Sequence, residues 1–336
     1  MLAYIFRRIL LAAFTMWIIS MLAFFIVQLP EGDAADRYID RLLNAGDQTS
    51  EEQAIYLRAY FGLDKPMHLR YVNWMWKMFH GDLGISYLHR GISWPTPRLV
   101  KDVIGDRIWV TIALTGFTVL VTWSFAIPIG IYSAVRQHSV GDYVFTVLGF
   151  SGLAVPDFLL ALVLMYLAFA YLDMSVGGLF SNDYKDAVWG PAKAYDLIKH
   201  LWIPAVVLGT SGTAGLIRVM RNNLLDELSK PYVVTAKAKG VPSWKVIVKY
   251  PVRVAINPLV STIGYLLPSL VSGSVIVSVV LSLPTLGPVL LEAILIEDTS
   301  LSGFIVLTLG VLTVVGTLIS DILLAVVDPR IKLTNR

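Results

Sequence analysis

The sequence predicts an all-α integral membrane protein with six transmembrane helices. Three observations carry that expectation. The 336 residues are 56% apolar and only 15% charged, with a mean hydropathy of +0.68, outside the range of an ordinary water-soluble domain. The apolar residues fall in blocks of roughly 20 or more, the length that crosses a hydrocarbon core about 30 Å thick. The basic residues lie beside those blocks. A net charge of +3 is too small to suggest nucleic acid, and the absence of cysteine excludes disulfides and thiolate metal sites.

Taken in order, the spans are expected at about 9–29, 108–135, 143–172, 200–221, 258–283 and 301–327. The first follows Arg7-Arg8 and runs to Leu29, longer than the about 7–15 apolar residues of a secretory signal. No small-x-small cleavage pattern follows at Gln28–Asp33, so residues 1–29 read as an uncleaved helix, with a cleaved signal as the alternative. Residues 30–107 form a polar insertion rich in Trp, Tyr and His, as suits a segment lying partly at a membrane interface. Thr49-Ser50-Glu51-Glu52, followed by Ile55, Leu57, Tyr60 and Phe61, predicts a short amphipathic helix, and a second is expected near Tyr71–Phe79. Residues 108–328 make the membrane core, interrupted by a water-side loop at 222–257, and residues 329–336 a short tail.

Charge gives the orientation. With a cytoplasmic amino terminus, the inside segments hold fourteen Lys and Arg against four acids, whereas the outside segments hold thirteen against eighteen. Long loops count little in this rule, so the short ones decide. The loop at 284–300 has no Lys or Arg and contains Glu292, Glu297 and Asp298. Both termini are therefore expected inside.

The loop at 222–257 carries the functional signal. Leu224, Leu228, Tyr232 and Ala236 recur at intervals of four along one helical face. Gly240 can take the left-handed conformation that ends a helix, and Pro242 can open the next one, with Trp244, Ile247, Val248 and Pro251 following. Ala236, Ala238 and Gly240 keep the turn free of bulk, and Lys237, Lys239 and Lys245 surround it with positive charge. A solvated basic loop would explain the lysines. It would not explain the apolar stripe or the Ala-x-Ala-x-Gly turn, which suit a docked partner.

Thr235-Ala236-Lys237-Ala238-Lys239-Gly240, then Val241-Pro242, with Asn257-Pro258 further on, resembles the coupling loop of ABC importer permeases. More narrowly, the chain resembles the first (B-type) permease subunit of the dipeptide/oligopeptide family. Phe61–Pro66 and Gly81–Gly84 are similar to that subunit's extracytoplasmic insertion. Ala154-Val155-Pro156-Asp157-Phe158 is similar to its third-span pattern, and Asp321–Ile331 to its carboxy-terminal signature. Departures also occur. Val234-Thr235-Ala236 stands where a Glu-Ala-Ala is common, Ser278 where many relatives carry glutamate, and Ser282–Gly287 where Gly-Leu-Pro-Gly-Ile-Gly is usual.

The resemblance implies a non-catalytic permease subunit in a prokaryotic inner membrane, bathed in membrane lipid. Its implied partners are a second homologous permease, two ABC ATPase subunits and an extracytoplasmic solute-binding protein. It also implies a coupling segment at about Thr235–Lys245, so that Thr235, Ala236, Lys237, Ala238, Lys239, Gly240, Val241, Pro242, Trp244 and Lys245 meet an ATPase. The solutes implied are peptides or oligosaccharides. No Walker A pattern occurs, so ATP and Mg are expected on the partner subunits and no cofactor on this chain. The glycine-rich run at 209–215 lies inside a span and reads as helix packing, with solute contact as the alternative.

Polar residues within spans are candidates for the solute path, because charge in lipid is costly. Asp157, Ser272, Ser278 and Asp321 are those candidates; for Asp321, pairing with a neighbouring helix is the competing reading. The five histidines are scattered and form no metal or catalytic pattern. A self-sufficient secondary transporter or channel would call for inverted repeats and paired broken helices, neither of which the sequence suggests. A non-transporting receptor or assembly factor using the same loop is the third reading.

Overall fold

The computed structural model describes residues 2–28, 55, 58–59, 65–86, 98–105, 107–172, 177–184, 187–188, 190–296 and 298–327. The helix expected after Thr49, the Phe61–Asp64 motif and the tail at 329–336 lie outside the described residues. Among the described residues, Ile5–Ile26, Arg107–Val135 and Thr299–Val326 are each long and apolar enough to cross a membrane unbroken. Counting sharply bent helix pairs as single spans raises the number to as many as six. The chain divides into two compact units.

The larger unit comprises residues 1–12, 109–285 and 312–336. It contains the start of α1 (Leu2–Val27), before Ala13, and most of α4 (Arg107–Val135), then α5 (Val140–Ala154) and α6 (Asp157–Leu172). These are followed by α7 (Pro191–Leu228), α8 (Pro231–Ala238), α9 (Ser243–Lys249), α10 (Pro251–Ala255) and α11 (Asn257–Val280). The carboxy-terminal half of α13 (Thr299–Val327) completes it. Helix α7 is the organiser, packing against α5, α6, α10 and α11. One apolar cluster joins Leu114 of α4, Ala161 of α6, Val207 of α7 and Val277 of α11. A second joins Ala126, Met220, Leu224 and Leu259.

Three elements differ from expectation. The third span is not continuous: α5 and α6 meet at 104° across Val155-Pro156. Proline has no amide to donate and forces its predecessor out of helical geometry; Val155 is accordingly extended (φ −88°, ψ 125°). Helix α7 runs well beyond the expected 200–221, since its polar ends continue the helix outside the apolar block. It bends by 56° between Thr210 and Gly212. There Thr210 Oγ1 donates to Val206 O (2.5 Å) and Thr213 Oγ1 to Gly209 O (2.6 Å), back-bonding of the kind that bends helices. Broken helices, absent from the sequence-based expectation, are thus present. Finally, the stripe Leu224–Ala236 is split between α7 and α8, because Pro231 opens a new helix after Lys230 (ψ 146°).

The smaller unit comprises residues 13–108 and 286–311. Helix α2 (Met67–Phe79), the second amphipathic helix expected in the insertion, lies on the end of α1. Phe24 packs against Tyr71 and Trp74, Ser20 and Tyr71 share a 2.6 Å hydrogen bond, and Arg70 donates to Gln28 Oε1 (2.5 Å). Its Trp76 and Phe79 stay exposed, as befits an interfacial helix. A two-residue antiparallel pair, β1 (Ile85–Ser86) with β2 (Arg98–Leu99), departs from the all-α expectation and leads into α3 (Val100–Ile104).

The segment 284–300, expected as a loop, forms α12 (Leu286–Leu295). Leu286, Val289 and Ala293 sit at helical spacing and bury against Val100, Val103, Ile104, Leu301 and Ile305. Asp298, expected in that loop, is fully buried. It caps α13 by accepting from the Leu301 amide (3.0 Å) and receives the Ser86 hydroxyl (2.7 Å).

Candidate functional site

The coupling segment is a helix, a tight turn and a second helix. Helix α8 ends at Lys239, whose amide donates to Thr235 O (3.1 Å), and the Gly240 amide donates to Lys237 O (3.0 Å). Gly240 takes φ +74°, the left-handed conformation in which a side chain would be strained. Pro242 then starts α9, its carbonyl accepting from the amides of Lys245 (2.9 Å) and Val246 (3.0 Å).

A small apolar clasp holds the two helices together. Val233, Ala236 and Val246 are buried against each other, with Val241 alongside. Ala236 therefore faces inward, and its small size lets α8 approach α9. The other predicted positions face solvent: Thr235, Lys237, Ala238, Lys239, Gly240, Pro242, Trp244 and Lys245 are exposed, and Val241 is half-buried. Thr235 Oγ1 donates to Pro231 O (2.9 Å), so its hydroxyl is spent on its own helix. Trp244 is 68% exposed, an unusual position for a large aromatic side chain. A Cβ at Gly240 would meet nothing within 4 Å, so the space above the turn is empty.

The candidate path residues have different surroundings. Asp157 opens α6 at the break, half-buried, with its carboxylate at the positive end of the helix dipole. Asp321 pairs with Arg8 (2.8 Å), which matches the neighbouring-helix reading made from sequence. Ser278 is fully buried and accepts from Thr285 Oγ1 (3.0 Å). The two hydroxyls thus satisfy each other. The side chain of Ser272 lies outside the described residues. In the glycine-rich run, a Cβ at Gly209 would lie 2.8 Å from Thr122 Oγ1, so that glycine admits close packing of α4 on α7. A Cβ at Gly215 would meet nothing. No group of residues able to hold a metal ion occurs among the described residues.

Sequence reasoning missed one polar centre. Arg221 of α7 grips Asp142 of α5 through Nε to Oδ1 (3.1 Å) and Nη2 to Oδ2 (3.0 Å). Asp142 also accepts from the His138 amide (3.0 Å), and its own amide donates to Ser139 Oγ (3.2 Å). Ser139 is thus the N-cap of α5, a cap readable in advance from a serine placed just before the helix.

Several apolar helices, a polar segment folded onto the first, and a clasped turn held out in solvent describe the membrane component of a larger assembly. The chain belongs to the family of binding-protein-dependent transport system inner membrane components. The family model matches residues 126–333, and the model of its amino-terminal region matches residues 1–115. The chain is 34% identical over 332 residues to the oligopeptide transport system permease protein AppB of Bacillus subtilis, covering 99% of this chain and 100% of that protein. It is 32% identical over 337 residues to a putative peptide permease protein of Brucella ovis, with 99% and 100% covered. Identity to the dipeptide transport system permease protein DppB of Escherichia coli is 30% over 349 residues, with 99% of each chain covered.

Proposed function

We propose that this chain is one permease subunit of an ATP-driven importer of peptides, crossing a prokaryotic inner membrane six times with both termini cytoplasmic. A second permease completes the path, an extracytoplasmic protein delivers the solute, and two ATPase subunits supply the energy. The relatives' names as oligopeptide and dipeptide permeases support the solute class. Three unbroken apolar helices, the bent pair α5–α6, the bent α7 and the apolar α11 support the six crossings.

The observation that carries the reading is the turn at Lys237–Gly240, exposed, basic and fixed by the Val233–Ala236–Val246 clasp. A rigid element on the water side can transmit a bias. ATP favours one arrangement of the ATPase pair, and docking passes that preference to the spans by differential affinity.

Gly240 gives a controlled test. Gly240→Ala and Gly240→Trp share the same backbone strain, and the Cβ that both add meets no atom of this chain within 4 Å. Only the indole would obstruct a docked partner. Peptide uptake in reconstituted vesicles should survive in Gly240→Ala and vanish in Gly240→Trp, with the ATPase subunits lost from the purified complex. Full uptake by Gly240→Trp would overturn the proposal.

A further inference from the structure

Asp157 is the only Asp, Glu, Lys or Arg between residues 143 and 172. The helices on either side of it expose apolar side chains, among them Leu148, Leu153, Phe158 and Leu162. No counterpart for its carboxylate comes from this chain. Among the described residues Asp157 makes neither a hydrogen bond nor an ion pair, although it is only half-buried.

The main chain beside it is short of partners too. An α-helix leaves its last carbonyls without intrahelical donors. Pro156 has no amide to offer them, and Val155 is extended, so neither closes the end of α5. Among the described residues nothing donates to the carbonyls of Gly152, Leu153 and Ala154. A second interruption adjoins this one. A Cβ on Gly152 would strike Thr210 Cγ2, which places the α5–α6 break beside the bend of α7 at Thr210–Gly212.

Free carbonyls and an unpaired carboxylate cannot be left to hydrocarbon. Their partner therefore comes from outside the chain, and each of these groups is an acceptor. In membrane transporters, carbonyls at the ends of interrupted helices coordinate cations. A primary ammonium group has three hydrogens to donate, enough for the carboxylate and two carbonyls.

We propose that this break receives the protonated amino group of a peptide solute, with Asp157 as its counter-ion and the carbonyls of residues 152–154 as further acceptors. The assignment rests on the peptide-import reading above and adds a requirement to it: the solute carries a free amino group. Asp157 is then a specificity residue of the path.

The absence of cysteine makes the break addressable. The test uses the full chain, purified in detergent with the subunits that accompany it and carrying Ala154→Cys at an exposed position. Val155→Cys, also exposed, is the second reporter. A water-soluble maleimide should label the thiol, trialanine should protect it, and N-acetyl-trialanine should not. Adding Asp157→Asn should raise the trialanine concentration for half-protection about tenfold, the worth of one hydrogen bond to a charged group. Asp157→Glu should restore part of the protection.

Thiols that stay unlabelled at both positions, equal protection by the two peptides, or wild-type protection in Asp157→Asn would overturn the proposal. Loss of a second membrane subunit from the Asp157→Asn complex would give the carboxylate to a cation of that subunit instead. Protection needs no ATP, and uptake is measured separately in vesicles. Absent uptake with amine-dependent protection counts against the transport reading alone. Uptake unchanged by Asp157→Asn, with no amine-dependent protection, counts against this proposal alone.

Discussion

At the scale of single residues, inward and outward positions of the coupling turn should fail differently. Val246 is fully buried in the clasp, so Val246→Ala should cost about 1–3 kcal/mol locally and speed proteolysis between α8 and α9. Trp244 is mostly exposed, so Trp244→Ala should leave the melting temperature within a degree or so while lowering solute-stimulated ATP hydrolysis. An equal loss of stability in the two variants would contradict the division. A double-mutant cycle on Asp142→Asn and Arg221→Gln should give a coupling of about 1–3 kcal/mol, since the contact is bidentate and Asp142 is buried. The left-handed Gly240 was legible from Gly-x-Pro alone, because few other residues accept that geometry. The inward turn of Ala236 was not: small size reads the same whether it admits a partner or a neighbouring helix.

At the scale of elements, helix contact hangs on particular glycines. A Cβ at Gly130 would lie 2.7 Å from Met220 Cβ, so Gly130→Val should force α4 from α7 and destabilise by about 1–3 kcal/mol. Gly215→Ala meets nothing and should be neutral or up to about 1 kcal/mol stabilising, as a helical Gly-to-Ala exchange. Thermal unfolding in detergent compares the two. The apolar blocks made most elements legible, since a bilayer demands apolar length above all. Their ends and bends were less so. The break at Pro156 was not expected although proline permits one, and no local rule contains its 104° angle. Helix α12 was hidden because the acids Glu292, Glu297 and Asp298 weighed as loop, although Leu286, Val289 and Ala293 already had helical spacing.

For the whole molecule, the orientation drawn from charge makes a direct prediction, made easy by the absence of cysteine. Val188→Cys, at a position 91% exposed, should react with a membrane-impermeant maleimide in intact cells. Lys239→Cys, exposed beside the coupling turn, should react only after permeabilisation. The reverse pattern would invert the topology and remove the turn from any cytoplasmic ATPase. Charge could state sidedness because it survives in any one-dimensional reading. The Asp142–Arg221 contact could not be read so, as its partners stand 79 residues apart.

Helix α7 has a mechanical consequence. Its 38 residues follow about 57 Å of helix axis at 1.5 Å per residue, and only Ser229 and Lys230 separate it from α8. Its other soft joint is the bend at Thr210–Gly212. Between those joints, residues 212–228 form a strut whose foot, at Met220 and Leu224, is clamped in the core. A load passed from Gly240 through α8 to that strut would reach Arg221 and, through its contact with Asp142, the start of α5.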